Sequence, residues 1–595
     1  MKKISLLSFS LLASVALVSC GKTSNLTPSK YNEKAVHIYR KPNVIDKDLK
    51  VRFYEDQPNV PYIEVNKYFK EFFNSQFQVS YSNGVYRYIN DYNAYLGFDF
   101  NNWTFSSNYL DSFNHHPDFA MANGKNFIKT LSSKTYGLSE RFVSLGEYNI
   151  PFYEEAHRVY VPLTFLSKFA GGSSLYNVAY NGNDIYVIDR GGQLRDPVDY
   201  SSYNDYYALF NDVNTPRPQD LATYSYNELC FVWDNMRGLT SQLVLGDNNL
   251  LSIGLNGTIE KYAPKLKEYL LSTDKTKYYQ GYYTLFNALY DGGHTSALAS
   301  FNEYTMQIKN DAKDIPEFSQ YIDAASYKSA LKTPNLLSYV QSKAAHFDYA
   351  YNTGPHNYYS YDETSKTSYI GFDEFEFDFN GWDAYYNNQG EVPVNSDTFA
   401  YIRSKLYQAK SDGAENLVLD LTTNGGGSAA TLVGLVGLFN GAKSYYSMSE
   451  IFNHSRGYDE FMIDVNLDGE FDDADIQEAN MFNFHVGVLT SEYSFSCGNL
   501  FPSVMKELGF KILGVQSGGG SCAISYESTA DGLPYVRSSM SYLSNNNGDN
   551  VDSGVEVDLE IEKLPHATLP EPMFKADNFY DPSITGTYLS TAYSE

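Results

Sequence analysis

The fold of the chain is decided by residues 486–525, VGVLTSEYSFSCGNLFPSVMKELGFKILGVQSGGGSCAIS. An apolar strand (VGVLT) leads through a polar turn into a helix (GNLFPSVMKELG), which is followed by a second apolar strand (KILGV) and a glycine-rich turn. This order predicts a strand–helix–strand unit of an α/β sheet. Ser496 lies in the turn, beside the free N–H groups of a helix N-terminus. It can act there as a nucleophile or, like Ser494 and Asn499, as a helix cap.

A second strand with a glycine loop lies upstream, at residues 416–430, NLVLDLTTNGGGSAA. The apolar strand is followed by Asn424 and three glycines, and a helix of small residues (AATLVGLVGLF) begins after them. Glycines allow a backbone to turn its N–H groups toward an anion, as an oxyanion hole for acyl transfer requires. The loop is therefore a candidate oxyanion hole.

The order of these two segments resembles the C-terminal processing (tail-specific) protease family and its tricorn-protease relatives. The resemblance covers roughly Tyr224 to Glu562. It includes the alternating stretch 368–379, SYIGFDEFEFDF, which is similar to the strand that opens the family's catalytic sheet. It implies a crotonase-like α/β catalytic domain with Ser496 as the nucleophile. The implied oxyanion donors are N–H groups near Gly425, Gly426 and Cys497.

The implied base is a histidine. The better-known branch of the family uses a lysine in a G-K-G segment, but the corresponding residues 517–521 here read SGGGS. The tricorn-like branch takes its base from a D-G-H-T type turn, which LYDGGHTSAL resembles, so the resemblance implies His294. A neutral imidazole can accept a serine proton near neutral pH. The orienting acid is implied within VDSGVEVDLEIE, where Asp552 is favoured over Glu556.

The N-terminus matches a bacterial lipoprotein signal over residues 1–20. Lys2 and Lys3 precede an apolar stretch that ends in Leu-Val-Ser-Cys at Cys20. We therefore expect an exported, extracytoplasmic protein that a lipid on Cys20 anchors to the cell membrane, followed by a tether over residues 21–50. The net charge of −27, with 44 Lys and Arg against 71 Asp and Glu, argues against nucleic acid and anionic membrane surfaces as partners.

Residues 51–190 form the next expected unit. The pieces YVPLTFLSKFAGG and DIYVI within it resemble the stalk-type domain of copper amine oxidases, which implies an α+β spacer and neither copper nor amine oxidation. A linker (191–222), a helical subdomain that carries His294 (223–365), the catalytic core (366–565) and a C-terminal tail (566–595) complete the expected order.

A calcium loop is predicted at residues 464–475, DVNLDGEFDDAD, which resembles a dockerin-type loop. Oxygen-bearing side chains alternate before a turn-forming glycine, so that one short loop can surround a cation that takes roughly six to eight oxygens. The alternative is an acidic, solvated hairpin. The ion would stiffen an insertion, and the peptidase chemistry itself needs no cofactor. The expected ligands are Asp464, Asn466, Asp468, the Glu470 carbonyl, Asp472 and Asp475.

The chain holds 4 cysteines. With Cys20 lipidated, Cys230, Cys497 and Cys522 remain. Cys497 and Cys522 follow two loops expected at one sheet edge, so a disulfide between them is predicted for an oxidising exterior. Cys497 is also a competing candidate nucleophile.

Taken together, the motifs predict a lipid-anchored serine endopeptidase that cleaves peptide or protein substrates through an acyl-enzyme on Ser496, with His294 as general base. Two other functions stay open. One is a catalytically inactive, peptide-binding lipoprotein, because the family's lysine is missing. The other is an adhesive or glycan-binding surface protein, which the many tyrosines and the lipid anchor suggest.

Overall fold

A computed structural model describes residues 30–41, 44–114, 126–170, 176–189, 215–239, 244–245, 250–291, 294–298, 303–348, 357–520, 522–565 and 574–594. The predicted signal segment with Cys20, the start of the predicted tether and most of the predicted linker lie outside these ranges. Within them, no helix has the length and apolar character that crossing a membrane requires.

The N-terminal part of the described chain consists mainly of strands. Its strands are β1 (Tyr31–Lys41), β2 (Val44–Tyr54), β3 (Gln57–Glu64), β4 (Gln78–Ser82), β5 (Val85–Ile89), β6 (Tyr95–Asp99), β7 (Thr104–Ser107), β8 (Ile128–Tyr136), β9 (Arg141–Ser144), β10 (Tyr153–Glu155), β11 (Arg158–Pro162), β12 (Tyr176–Tyr180) and β13 (Ile185–Asp189). The helical pieces are α1 (Val65–Phe73), a 3-10 turn (Asp111–Phe113) and α2 (Leu163–Ala170). One sheet has the order β10-β11-β3-β2-β1-β13-β12, and a second has the order β4-β5-β6-β7-β9.

Strands β1 and β2 correct the predicted tether over residues 21–50. They pair with each other antiparallel, and β1 also pairs parallel with β13. Apolar residues alternate with charged ones along both strands, so the segment has a polar composition although one face is buried. The buried face includes Val36, Ile38, Leu49 and Val51. The tether prediction is therefore wrong from Tyr31 onward.

The region before the core consists mainly of helices. They are α3 (Gln219–Asn235), α4 (Leu250–Tyr262), α5 (Pro264–Leu270), α6 (Lys275–Ala288), α7 (Glu303–Lys313) and α8 (Pro316–Phe347), with a short strand β14 (Ser296–Ala297). α5 and α8 both begin at a proline. Proline suits this position because it has no N–H, and the N–H of a first helical residue would have no partner within the helix. α8 ends at Phe347 and is capped by Asp348, which adopts φ 53°.

The core sheet has the order β15-β16-β17-β20-β21-β24 and is parallel from β16 to β24. These strands are β15 (Asn357–Asp362), β16 (Thr367–Phe372), β17 (Asn416–Asp420), β20 (His485–Thr490), β21 (Lys511–Gly514) and β24 (Leu559–Glu560). The helices of this region are α9 (Phe379–Tyr386), α10 (Thr398–Asp412), α11 (Ala429–Phe439), α12 (Asp473–Met481) and α13 (Cys497–Glu507). The strand–helix–strand unit predicted from the sequence is confirmed as β20, α13 and β21.

A further sheet joins the core to the N-terminal part. Its strands from the core are β18 (Lys443–Glu450), β19 (Arg456–Ile463), β22 (Cys522–Ser528) and β23 (Pro534–Leu543). The order is β14-β23-β18-β19-β8, with β22 paired to β23. Strand β8 belongs to the predicted stalk, so the boundary predicted between spacer and core does not separate the two parts.

The predicted C-terminal tail is also structured over much of its length. It contributes β26 (Phe574–Lys575), which pairs with β25 (Leu564–Pro565), a 3-10 turn (Asp577–Tyr580) and α14 (Pro582–Ala592). Leu589 of α14 is buried, and the Tyr593 hydroxyl donates to the Val486 carbonyl (2.8 Å). α14 therefore covers one face of the core sheet.

Candidate active site

The two predicted loops meet at one edge of the core sheet. β17 and β20 are adjacent parallel strands with Asp420 opposite Leu489, so the segments that follow them leave the sheet on the same side. The Phe495 N–H donates to the Asn424 carbonyl (3.0 Å). The NGGG loop and the serine turn are therefore in direct contact.

Ser496 has a strained backbone, with φ 56° and ψ −120°. Residues other than glycine rarely adopt this conformation, and it persists only where the surrounding structure holds it. Here the Ser496 N–H donates to the Gly519 carbonyl (3.1 Å), and the Ser496 carbonyl accepts from the Leu500 N–H (2.9 Å) at the start of α13. The turn thus presents the serine at the N-terminus of a helix.

The helix-cap interpretation of this turn is wrong. The Ser496 side chain makes no capping hydrogen bond to α13. The other two candidates have different partners: the Ser494 hydroxyl donates to the Leu421 carbonyl (2.7 Å), and the Asn499 amide donates to the Val551 carbonyl (2.8 Å). The Ser496 hydroxyl is therefore left available for chemistry.

Gly426 packs against the serine but does not supply an oxyanion donor. A Cβ on Gly426 would lie 2.7 Å from the Ser496 Cβ and 3.0 Å from the Cys497 nitrogen, and the φ of Gly426 is +108°, so glycine is required. Its N–H donates to the Asn424 side-chain oxygen (2.8 Å). No residue in the described ranges accepts a hydrogen bond from the N–H of Gly425 or Cys497. These two N–H groups are the donors that remain for an oxyanion.

His294 lies beside the serine turn. Its ring packs edge-to-face on Phe495, the neighbour of Ser496, with 5.1 Å between ring centroids. Its Nδ1 is buried and finds no hydrogen-bond partner among the described residues. Burial lowers the pKa of His294, and the nearby carboxylates of Asp291 and Asp552 act in the opposite direction. The imidazole is therefore neutral near pH 7, as a general base must be.

Asp552 is one of two carboxylates close enough to act on the charge of His294, and Asp291 is the other. Sequence reasoning favoured Asp552 and missed Asp291, although Asp291 belongs to the same DGGHT turn. Asp291 is buried, and its carboxylate accepts from the Thr295 N–H (3.0 Å) and the Ser538 hydroxyl (2.6 Å). These bonds fix Asp291 and Thr295, which lie on either side of His294 in the sequence.

Glu556 was the second acid candidate, and the structure places it elsewhere. Its side chain is exposed. Its backbone carbonyl accepts from the Lys506 ammonium (2.6 Å), which also lies 3.4 Å from Asp558. A surface position next to a lysine cannot orient a buried imidazole, so Glu556 is removed from the candidate site.

A serine, a histidine and a glycine loop thus converge at the edge of a parallel sheet. Residues 368–561 match the model of Peptidase family S41. This match supports a peptidase, and the serine-bearing turn is consistent with a serine type. No curated protein matches the chain.

Solved structures that are similar to this chain at low identity include the following three proteins. A candidate peptidase from Parabacteroides merdae is 14% identical over 57% of this chain and 88% of its own, with a TM-score of 0.36. A lipoprotein from Streptococcus agalactiae is 13% identical over 58% of this chain and 93% of its own, with a TM-score of 0.32. The photosystem II D1 C-terminal processing protease is 17% identical over 33% of this chain and 42% of its own, with a TM-score of 0.25.

Within the S41 region, the glycine loop 517–520 lies against the serine turn. The Gly519 carbonyl accepts from the Ser496 N–H, and a Cβ on Gly519 would lie 1.9 Å from the Asp552 carbonyl oxygen. A Cβ on Gly520 would lie 2.0 Å from the Phe495 ring. The absence of side chains lets this loop fit between the serine turn and the segment that carries Asp552.

An open cleft of about 500 Å³ adjoins the NGGG loop of the S41 region. Its wall is the segment after β16, which the sequence predicted as a continuing strand but which leaves the sheet after Phe372. The Phe375 N–H donates to the Gly426 carbonyl (2.8 Å), and the Phe375 carbonyl accepts from the Ser428 N–H (2.8 Å). The cleft is lined by residues 374–379, Ser396, Gly427 and Ser428.

The predicted disulfide between Cys497 and Cys522 is wrong, because both residues are free thiols. The Cys497 thiol donates to the Gly427 carbonyl (3.2 Å), whereas the Cys522 thiol donates to Asp552 (3.4 Å). The two side chains therefore point to different partners. Burial raises the pKa of Cys497 to about 12, which disfavours the thiolate and argues against Cys497 as the nucleophile.

The predicted calcium loop forms a compact turn before α12. Asp464 accepts from the Gly469 N–H (2.8 Å) and Asp475 from the Val465 N–H (2.7 Å), while Asp472 caps α12. Asn466 accepts from the Asp468 N–H (2.9 Å), and Asp468 accepts from the Glu470 N–H (2.8 Å). In the described chain, no three acidic, histidine or cysteine side chains are arranged to hold a metal ion. The oxygens are of the kind calcium prefers, but they are turned to the loop's own backbone, so calcium stays a prediction.

Proposed function

We propose that the chain is a serine endopeptidase of the tail-specific protease type, with a crotonase-like catalytic domain and a tricorn-like histidine base. The observation that carries the proposal is the contact between three elements. Ser496 stands in a strained turn, the Gly425–Gly426 loop touches it, and Phe495 joins the turn to His294. This arrangement supports acyl transfer because it combines a nucleophile, a neutral base and free N–H donors.

In the proposed reaction, the Ser496 Oγ attacks the peptide carbonyl carbon while His294 takes the hydroxyl proton. The N–H groups of Gly425 and Cys497 donate to the resulting oxyanion. The carbon–nitrogen bond then breaks, His294 gives the proton to the leaving amine, and an ester to Ser496 remains. Water attacks that ester with His294 again as base, which releases the acid product and restores the serine.

The cleft beside Gly427 is the proposed path of the peptide. It begins at the glycine loop that would hold the oxyanion, so a chain lying in it would bring its scissile carbonyl to Ser496. Phe377 and the exposed Phe379 offer apolar contacts along it, and Glu374 and Glu376 also line it. A site of this size accommodates a few residues of an extended substrate.

A fluorophosphonate probe tests the proposal, because it reacts with activated serines. Wild type should be labelled, whereas Ser496→Ala should not be, and His294→Ala should be labelled far more slowly. Ser503→Ala, in the same helix α13, is the matched control and should be labelled like wild type. Labelling that persists in Ser496→Ala would refute the site.

A second candidate function is peptide binding without catalysis. It is favoured by His294 Nδ1, which has no hydrogen-bond partner among the described residues, because an orienting partner normally fixes the tautomer of a catalytic histidine. This candidate predicts that no variant and no wild-type protein reacts with the probe. It also predicts that peptides bind the cleft and are recovered intact.

Export and lipid anchoring are proposed on the sequence signal alone. A lipid on Cys20 would hold the protein on the outer side of a cell membrane. Cys20→Ser should move the protein from the membrane fraction to the soluble fraction, and it should remove incorporation of labelled palmitate. Equal membrane association of both forms would contradict the anchor.

A further inference from the structure

A fully buried lysine lies at the base of the oxyanion loop. Lys343 is on α8 and has 0% of its surface exposed. Its ammonium donates to Asp373 (2.7 Å) and to the Thr423 hydroxyl (2.8 Å), and it lies 3.3 Å from Asp420. We call these four residues the Lys343 cluster. Burial of an ammonium is unfavourable unless it is paired and hydrogen-bonded, so the folded state requires these contacts.

The partners of Lys343 come from the ends of two neighbouring core strands. Asp420 is the last residue of β17, and Asp373 directly follows β16. Thr423 lies two residues before Gly425, the proposed oxyanion donor. One charged group therefore joins the ends of both strands to the first part of the glycine loop.

The carboxylates of the Lys343 cluster also bind the first residues of the glycine loop. Asp420 accepts from the N–H (2.9 Å) and the hydroxyl (2.7 Å) of Thr422, and Asp373 accepts from the Thr423 hydroxyl. The charge of Lys343, with hydrogen bonds from Lys343 and Thr423, keeps the pKa of Asp373 low, although burial acts to raise it. Without the ammonium, the two carboxylates would repel each other beside the loop.

We propose that Lys343 is a positioning residue that fixes the oxyanion loop from behind. It acts through Thr423 and Asp420 and does not touch the substrate. The inference rests on the proposed peptidase function for its catalytic consequence. The geometry of the cluster is independent of that function, so loop order and reaction rate can be measured separately.

The test compares Lys343→Met with a matched control, Lys168→Met. Lys168 is also buried and pairs with Glu228 (3.2 Å), but it lies on α2 and its partners are outside the two site loops. Hydrogen exchange is measured over residues 421–428, and the rate of fluorophosphonate labelling is measured in parallel. Thr423→Val, which removes only the hydroxyl, serves as a second variant if Lys343→Met fails to fold.

We expect Lys343→Met and Thr423→Val to raise exchange in this segment at least tenfold and to slow labelling about 10- to 100-fold, less than the roughly 100- to 1,000-fold loss that follows removal of an oxyanion donor. Lys168→Met should lower the melting temperature without either effect. A double variant, Lys343→Met with Asp373→Asn, should recover thermal stability but keep the slow labelling. Recovery of both would show a merely structural role.

The two levels of the inference fail in different ways. If wild type is not labelled, the peptidase proposal fails, and hydrogen exchange alone still decides whether Lys343 orders the loop. If hydrogen exchange over residues 421–428 is unchanged in Lys343→Met and Thr423→Val, the proposal that Lys343 orders the loop is overturned. Raised exchange with an unchanged labelling rate overturns the positioning role.

Discussion

The backbone of Ser496 predicts an unusual effect of substitution. A non-glycine residue held at φ 56° and ψ −120° costs about 1–3 kcal/mol, and glycine adopts this region readily. Ser496→Gly should therefore raise the free energy of unfolding by roughly 1 kcal/mol relative to Ser496→Ala, and both variants should lose labelling. Urea unfolding monitored by fluorescence measures the difference. A glycine variant less stable than the alanine variant would contradict the strain.

The pH dependence of His294 follows from its lowered pKa. The folded chain holds a proton on this ring less readily than the unfolded chain, whose pKa is near 6.5. Stability from this group is therefore present above about pH 6.5 and is lost as the pH falls below it. As the pH is lowered, the labelling rate should fall only at a pH below the ordinary histidine pKa, because His294 stays neutral to a lower pH. We call this fall the acid limb of the rate.

Asp552→Asn should move that limb further toward acid, because it removes a negative charge that raises the pKa of His294. Glu556→Gln should leave the limb in place, since Glu556 is exposed and bonded only through its backbone to Lys506. A pH series of labelling rates for wild type and both variants provides the measurement. If the acid limb of Asp552→Asn moved toward neutral pH instead, the prediction would be contradicted.

At the residue level, the sequence indicates which residue types meet at the candidate site, but it does not indicate the hydrogen bonds around them. Ser496 and His294 stand in motifs whose residue types suit their proposed roles, and the structure brings both to Phe495. The hydrogen bond from the Gly426 N–H to the Asn424 side chain was not predicted, because no pattern in the sequence indicates it. Lys343 was also missed, because a lysine in a helical sequence usually faces solvent and only the tertiary structure shows its burial.

At the scale of single elements, strands and helices with a strong apolar pattern were predicted correctly. β17, β20, α11, α13 and β21 lie where their sequences indicate. The stretch 373–379 alternates as a strand does, yet it leaves the sheet to contact the glycine loop, because Asp373 is held by Lys343 and Phe375 by Gly426. Alternation alone does not tell a sheet strand from a segment that pairs with a loop.

The calcium loop is tested at this scale. If calcium binds the folded loop, it stabilises the native state by mass action, so the melting temperature should be higher in calcium than in chelator. Asp464→Ala with Asp468→Ala should remove this difference and should spare labelling of Ser496. The matched control is Glu363→Ala with Glu391→Ala, two exposed acids outside the loop. Equal melting of wild type in both conditions would favour the solvated hairpin.

For the whole molecule, the structure argues against a free-standing spacer before the core. Phe127 lies next to β8 and is fully buried in the core cluster, where it stacks on Phe399 with 4.0 Å between ring centroids. Its carbonyl accepts from the Asp464 N–H (2.9 Å). The resemblance to a stalk did not show this, because the residues that join the two parts lie outside the stalk motifs.

Phe127→Ala should therefore destabilise the catalytic core by about 3–5 kcal/mol and slow labelling of Ser496 at temperatures near the new melting point. Phe142→Ala is the matched control, because Phe142 is 58% exposed in the same part of the chain. Thermal unfolding followed by labelling of aliquots tests this. If Phe127→Ala loses N-terminal structure while the core is unchanged, the N-terminal part is an independent spacer after all.

The pairing of β8 with β19 has a consequence for biosynthesis. Ser132 of β8 bonds Glu460 of β19 across 328 positions of sequence. At roughly 5–20 residues per second, a ribosome completes β19 about 16–65 s after it has completed β8. During that interval both edges of β8 are unpaired, whereas in the folded sheet its pairing with β19 covers one of them. Lys129 and Lys134 lie along β8. Their positive charges would repel the same lysines of a second nascent chain, which disfavours pairing of two β8 strands before β19 is available.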